Sequence, residues 1–207
     1  MERRIMPLGA IGANCVVLWE DPAAAWIVDP GAEPEAINAF LDKKGLTPAL
    51  VLFTHGHFDH IGAIDGILAR YPDLPVHVGS GDVPMIGHPQ NAWPPDYTRV
   101  QKPATLVADL VDGATLTAGG LTAQVIATPG HTPGGASFLF AAQKLLLTGD
   151  TLFAGSCGRT DFPGGDMATL QESLEKLKVL PKDTVVVPGH GIETTIAREL
   201  ASNPFLQ

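Results

Sequence analysis

The sequence predicts an α/β or α+β fold, and three observations carry that prediction. Short apolar runs of strand type alternate with segments whose apolar residues recur at helical spacing. Hydrophobic residues make up 45% of the 207 residues and charged residues 17%, below the roughly 25% charged content of an average soluble protein. Several apolar runs also end in the same way, on a small or turn residue followed by His or Asp.

The composition sets exclusions as well. Disorder needs low hydrophobicity and high charge, and a membrane-spanning helix needs about 18 uninterrupted apolar residues; this sequence shows neither pattern. A formal charge of −9 offers no basic field to a phosphate backbone, so neither a nucleic-acid nor a membrane partner is expected. Cys15 and Cys157 stand far apart in no metal or redox spacing, unlike the disulfide framework of a secreted domain, which fits a cytoplasmic setting. With 23 Gly, 18 Pro and no low-complexity linker, residues 1–207 are expected to form one loop-rich domain, monomeric or in a small homo-oligomer.

From the N-terminus, Arg3 and Arg4 precede an apolar stretch as in a secretory leader, but Pro7, Gly9, Gly12 and Asn14 interrupt it. Cys15-Val16-Val17-Leu18-Trp19, the turn Glu20-Asp21-Pro22 and Ala25-Trp26-Ile27-Val28 read instead as strand, turn, strand. A helix is expected over residues 34–44, where Ala36, Ile37, Phe40 and Leu41 share a face, Pro34 opens the first turn and Gly45 follows the last. Leu50-Val51-Leu52-Phe53 is a continuous apolar run of the kind buried on both faces of a sheet. The pattern continues as a helix over 61–71, strands over 76–78, 121–127, 137–140 and 145–147, a helix over 167–177, a strand over 185–187 and a last helix over 192–201. Residues 79–105 have no period and include His88-Pro89 and Trp93-Pro94-Pro95. They read either as a long surface excursion or as an ill-patterned helical segment with its loops.

The strand endings carry the chemistry. Leu50-Val51-Leu52-Phe53-Thr54-His55, Val125-Ile126-Ala127-Thr128-Pro129-Gly130-His131, Leu146-Leu147-Thr148-Gly149-Asp150 and Val186-Val187-Pro188-Gly189-His190 share one grammar, and Ile27-Val28-Asp29-Pro30-Gly31 is a fifth case. Strands that deliver polar side chains just past their carboxyl ends are how α/β proteins assemble sites on a rigid frame, so these groups are expected to converge. The first phrase runs on as His55-Gly56-His57-Phe58-Asp59-His60. Successive helical residues rotate by about 100°, so these ligands cannot all face one point from a regular helix, and the segment must be a turn entering a helix near Ile61. Imidazole and carboxylate without thiolate suit Zn²⁺, Fe²⁺ or Mn²⁺. His77 and His88 lie outside these phrases and are read as structural.

Thr54-His55-Gly56-His57-Phe58-Asp59-His60, with His131, Asp150 and His190 downstream, resembles the signature of the metallo-β-lactamase superfamily over essentially the whole chain. The resemblance implies a four-layer αββα sandwich, two mixed β-sheets face to face with helices on the outer faces, and a dinuclear site at one edge. Carried over by position, it implies that His55, His57 and His131 hold one divalent ion, that Asp59, His60 and His190 hold the other, and that Asp150 bridges them. Gly149-Asp150-Thr151-Leu152-Phe153, then Gly155-Ser156-Cys157-Gly158-Arg159, then Pro188-Gly189-His190-Gly191 and Asn203-Pro204-Phe205-Leu206 look most like the short bacterial glyoxalase II-like, or hydroxyacylglutathione hydrolase-like, proteins. Full-length members of that group continue into a helical domain that binds glutathione, and no such domain is expected here. Where their carboxylate pocket has a basic residue and then Tyr two positions on, this chain has Arg159 and then Asp161.

What the resemblance implies chemically is hydrolysis of a small-molecule 2-hydroxyacyl thioester of the S-lactoylglutathione type. Two divalent cations, Zn²⁺ or else Fe, Mn or a mixed Fe/Zn pair, acidify a shared water to a pKa near 7. The resulting hydroxide attacks a carbonyl while Asp59 and Asp150 orient the attack. A thiolate departs without a proton donor, whereas an amine does not, which favours thioester over amide substrates. Arg159 is either a clamp for a substrate carboxylate or a salt-bridge partner. Asp29 either orients a ligand histidine or caps a turn. Rival readings are a persulfide dioxygenase with a single iron on His55, His131 and Asp150, a nuclease, and a non-catalytic metal-binding scaffold.

Overall fold

The computed structural model describes residues 1–91 and 99–207. Trp93-Pro94-Pro95 therefore lies outside the described residues. The strands follow in chain order as β1 (Glu2–Leu8), β2 (Ala13–Trp19), β3 (Ala25–Val28), β4 (Pro48–Leu52), β5 (Val76–His77), β6 (Leu106–Val107), β7 (Thr115–Ala118), β8 (Leu121–Ala127), β9 (Ala136–Phe140), β10 (Leu145–Gly149), β11 (Leu152–Phe153), β12 (Ser156–Cys157), β13 (Val185–Pro188) and β14 (Thr194–Thr195). The helices are α1 (Pro34–Lys44), α2 (Phe58–Ile61), α3 (Ile64–Leu68), α4 (Met167–Lys178) and α5 (Ile196–Ser202). One six-stranded sheet has the order β1-β2-β3-β4-β5-β6 and the other β14-β13-β10-β9-β8-β7, with β11 and β12 forming a separate hairpin. Both sheets are mixed: β3, β4, β5 and β6 run parallel, as do β10 and β13, and the other pairs are antiparallel.

The period of two in the strands explains the layering. In β2 all seven residues are buried, because Cys15, Val17 and Trp19 face one core while Val16 and Leu18 face another. The first core lies outside the first sheet, where Ile37 and Leu41 of α1, Ile61 of α2 and Ile64 and Ile67 of α3 cover Val51 and Val76. The second lies between the sheets, with Trp26, Val28 and Leu52 against Val125, Phe138, Phe140 and Leu147. The third lies outside the second sheet, where Leu170, Leu174 and Leu177 of α4 cover Leu139, Leu146 and Val186. Helices, sheet, sheet and helices thus form four layers. Each fully buried Val, Leu or Phe contributes about 1.5–3 kcal/mol, and the inner layer is built mainly of them.

Several elements differ from the sequence-based expectation, each for a physical reason. The helix over 61–71 is two short helices that break at Gly62 and Ala63. There the chain seats the Pro30-Gly31 turn: Ala63 N donates to Pro30 O at 2.9 Å, and a Cβ on Gly62 would stand 2.3 Å from Gly31 O. Asp59 and His60 consequently sit inside α2 rather than ahead of a helix starting at Ile61. The helix over 192–201 starts only at Ile196, since Thr194 and Thr195 pair with β13 and the Thr195 side chain then caps α5 by accepting from Arg198 N. β1 escapes sequence reading because it is an edge strand with alternating exposure, charged at its start and carrying Pro7. In its described part the segment over 79–105 runs mostly exposed or partly exposed without a regular helix, anchored by the buried Asp82, Ile86 and Val100. Among the described residues, no helix is long and apolar enough to cross a membrane.

Candidate metal centre

The polar strand ends converge at one edge of the sandwich. β4 delivers His55 and His57, α2 delivers Asp59 and His60, the segment after β8 delivers His131, β10 delivers Asp150 and β13 delivers His190. β3 delivers Asp29 beneath them. Three overlapping groups of ligand atoms each lie within 4.8 Å of one another: His55, His57 and His131; His55, His60 and Asp150; and Asp59, His60 and His190. His57 Nδ1 is 2.9 Å from His131 Nε2, and His60 Nε2 is 3.3 Å from His190 Nε2. Asp150 lies between, its Oδ1 3.5 Å from His60 Nε2 and its Oδ2 3.6 Å from His131 Nε2 and 3.7 Å from His190 Nε2. Asp59 Oδ2 is 3.1 Å from His190 Nε2.

Outer hydrogen bonds decide which nitrogen each ring turns inward. Asp29 Oδ2 accepts from Thr54 Oγ1 at 2.6 Å and from His60 Nδ1 at 2.9 Å. Because Thr54 Oγ1 gives its proton to Asp29, it accepts from His55 Nδ1 at 3.1 Å. His131 Nδ1 donates to Arg159 O at 2.6 Å. In all three rings Nε2 is left pointing into the cluster. His190 is steered through its backbone, since Asn14 Nδ2 donates to Pro188 O at 2.9 Å and Gly191 O at 3.0 Å.

The residues fit divalent metal. His55 Nε2 and Asp150 Oδ1 are buried with no hydrogen-bond partner, a costly arrangement unless a cation receives their lone pairs. The electrostatics split the cluster in two. Burial, reinforced by the neighbouring His131 and His60 rings, pushes His57 down to about 3, and burial lowers His55 in the same direction. At His60 burial also opposes charge, yet the carboxylates of Asp59, Asp150 and Asp29 outweigh it and raise the ring to about 10. Burial likewise opposes ionisation of Asp59, but His60 and His190 prevail and hold it at about 2. His55 and His57 are thus favoured as neutral imidazole, while His60 and His190 are favoured as imidazolium beside an ionised Asp59.

Arg159 joins the centre through its carbonyl rather than its side chain. Its guanidinium is exposed and forked onto Asp161, with Nε to Oδ1 and a terminal nitrogen to Oδ2 both at 2.6 Å, and it stacks 3.9 Å above the Phe162 ring. Of the two readings of Arg159, clamp or salt-bridge partner, the guanidinium is engaged in the second, on an intramolecular carboxylate. Phe162 in turn meets the His57 ring edge-on at 5.7 Å. A cleft of ≈ 410 Å³ opens beside His57, with Phe58, Pro84, Met85 and Phe162 in its walls. His77 pairs with Asp109 at 2.8 Å, away from the cluster, while His88 lines the cleft.

Sequence reasoning missed Asn14, Asp82 and Asn91. Asn14 had a signal, a lone amide opening an otherwise apolar, wholly buried strand. Asp82 had none beyond the glycines beside it and Asn91 had none, because the partners that matter, backbone groups and for Asp82 also the Thr132 hydroxyl, are distant in sequence.

A four-layer sandwich with two clusters of His and Asp joined at its edge defines a metallo-hydrolase fold and site. The chain belongs to the metallo-beta-lactamase superfamily, whose family model matches residues 8–190. It is 38% identical to a probable metallo-hydrolase, YqgX, of Bacillus subtilis, over 100% of this chain and 98% of that protein. It is 35% identical to the hydroxyacylglutathione hydrolase GloC of Haemophilus influenzae, again over 100% and 98%. Among solved structures, BLEG-1 B3 metallo-beta-lactamase superposes with a TM-score of 0.90 at 38% identity, covering 99% of both chains. TTHA1623 in a di-iron-bound form superposes with a TM-score of 0.87 at 37% identity, covering 98% of this chain and 100% of the other.

Proposed function

We propose that this metallo-hydrolase cleaves a small 2-hydroxyacyl thioester of the S-lactoylglutathione type, using two divalent ions. The observation that carries the reading is the position of Asp150, whose two oxygens face His60 on one side and His131 on the other, so that two ligand sets share one carboxylate. His55, His57 and His131 would hold one ion, Asp59, His60 and His190 the second, with Asp150 common to both. When bound, the ions supply Lewis-acid polarisation of a carbonyl and acidify water to a pKa near 7.

The chain's own groups account for the rest. Asp59, ionised throughout the neutral range, accepts a hydrogen bond from the attacking water and aims it. Phe58, Met85 and Phe162 offer an apolar wall that excludes bulk water from one side of the reacting bond. A departing thiolate, from a parent thiol of pKa about 8.5, needs no proton from the protein, and Asp59, held ionised, is a poor donor at neutral pH. The full-length likeness to a hydroxyacylglutathione hydrolase supports the same substrate class. We further propose that the enzyme works in the cytoplasm as a single domain.

Steady-state kinetics of the metallated protein on S-lactoylglutathione, a thioester panel and a chromogenic β-lactam test this, beside an oxygen electrode with glutathione persulfide. Thiol release from thioesters, with little β-lactam turnover, is expected. Oxygen uptake without thioester cleavage would overturn the hydrolase reading in favour of a dioxygenase, and β-lactam hydrolysis outpacing every thioester would overturn the substrate class.

A further inference from the structure

Asp82 belongs to none of the three ligand groups, yet it is 0% exposed. Its Oδ2 accepts from Gly56 N at 2.8 Å and from Thr132 Oγ1 at 2.7 Å, and its Oδ1 accepts from Gly134 N at 2.6 Å. Gly56 separates His55 from His57, and Thr132 follows His131. One carboxylate therefore pins both chain segments that carry the His55, His57 and His131 set. The other ligand set is held mainly by different groups, by Asp29 at His60 and by Asn14 on either side of His190, although Asp29 also reaches His55 through Thr54 Oγ1.

The fold leaves Asp82 little room to move. A Cβ on Gly79 would stand 2.0 Å from Gly134 O, and one on Gly134 would stand 2.5 Å from Asp82 N. The Gly79-Ser80-Gly81-Asp82 turn and the Pro133-Gly134 segment are therefore packed backbone against backbone, which only glycine permits. Asn91 adds a second hold on the same ligand loop, with Nδ2 donating to Gly56 O at 2.6 Å and Oδ1 accepting from Phe58 N at 3.0 Å, so that His57 is bracketed on both sides.

We propose that Asp82 is a positioning residue that presets the pocket formed by His55, His57 and His131 without acting on the pocket formed by Asp59, His60 and His190. The affinity of the first ion is then tuned through Asp82 independently of the second, whereas Asp29, which orients both His60 and His55, bears on both pockets. The proposal rests on the two-ion reading above. A carboxylate that served only to stabilise the fold would not distinguish between the two ions.

The test is competition between the zinc-loaded protein and a chelator, resolving two dissociation steps, in the wild type, Asp82→Asn and Thr132→Val. Asp82→Asn places an amide N–H against one of three donors, and removing such supporting contacts costs roughly 10–100-fold in metal affinity. That loss is expected in one step only, the other staying within about twofold, with a smaller loss in the same step for Thr132→Val. Thr132→Val keeps the carboxylate and both of its backbone bonds, so it decides the matter if Asp82→Asn does not fold. Two steps that weaken together, or two unchanged steps with a lowered melting temperature of the metal-free protein, would overturn the assignment to Asp82 alone. A wild type that binds a single zinc would overturn the two-ion reading and this assignment with it.

Discussion

The carboxylate of Asp29 and the Nδ1 of His60 stand 2.9 Å apart in a fully buried contact. The same oxygen accepts from Thr54 Oγ1, so one side chain orients two neighbouring imidazoles. Asp29→Asn keeps the size and loses the function, because an amide N–H facing His60 Nδ1 drives the ring to the tautomer whose proton sits on Nε2. The pocket of Asp59, His60 and His190 is expected to lose metal affinity by about 10–100-fold. Metal titration of the variant checks this, and an unchanged second equivalent would refute it.

His190→Ala and Asp150→Ala are expected to differ in kind. His190 is partly exposed at the end of a strand, so its loss empties one pocket and spares the other. Asp150 faces both, so its loss lowers both equivalents and abolishes turnover. Elemental analysis and thermal melts of the two variants separate these outcomes. Equal, mild losses would refute the shared position of Asp150.

Arg159 and Asp161 form an exposed fork that solvent screens well, so a substrate carboxylate can compete for the guanidinium. Asp161→Asn is expected to lower KM for carboxylate-bearing thioesters, and Arg159→Ala to raise it by roughly tenfold, each with kcat little changed. Kinetics on paired anionic and neutral thioesters show whether the effect follows the carboxylate. Equal shifts on both substrates would remove Arg159 from recognition.

Metal uptake is expected to release more protons from one pocket than from the other. In the metal-free protein His60 is raised to about 10 and carries a proton at pH 7.5, which must leave before Nε2 can bind a cation. His55 and His57 are lowered and already neutral. Calorimetric titration with Zn²⁺ in two buffers of different ionisation heat should show more proton release in the step that fills the pocket of His60 and His190, both raised, than in the step that fills the pocket of His55 and His57. The sign for stability follows: a raised imidazole stabilises the metal-free fold fully below its ordinary 6.5, and that contribution fades as pH climbs toward 10. Thermal melts of the metal-free protein across pH 7–10 should fall accordingly.

Cutting the inner core should act on the fold without touching the chemistry directly. Phe138 is fully buried between the sheets with Trp26, Phe140 and Val125, and Phe138→Ala is expected to cost about 3–5 kcal/mol. Denaturant unfolding measures the loss, and residual activity at low temperature should remain.

Much of this molecule was legible in one dimension because burial on both faces of a sheet forces unbroken apolar runs. β2, β4 and β10 show such runs, and the polar residue that ends a run marks where the strand leaves the core. His55, His131, Asp150, His190 and Asp29 could each be picked out on that ground alone. α1 and α4 were equally clear, since each buries one face and its period of 3.6 survives in the sequence.

Tertiary structure alone decided which of these groups meet. His57 and His131 come within 2.9 Å across 74 positions of chain, and no local pattern records such a pairing. It also decided that Arg159 contributes a carbonyl while its guanidinium is held by Asp161, and that Asp82 ties two distant loops. The physical reason is the same in each case. Hydrophobic periodicity is a property of one segment against water, whereas a hydrogen bond from a side chain to a remote backbone group depends on how two segments pack, and that is fixed only when the sheets close on one another.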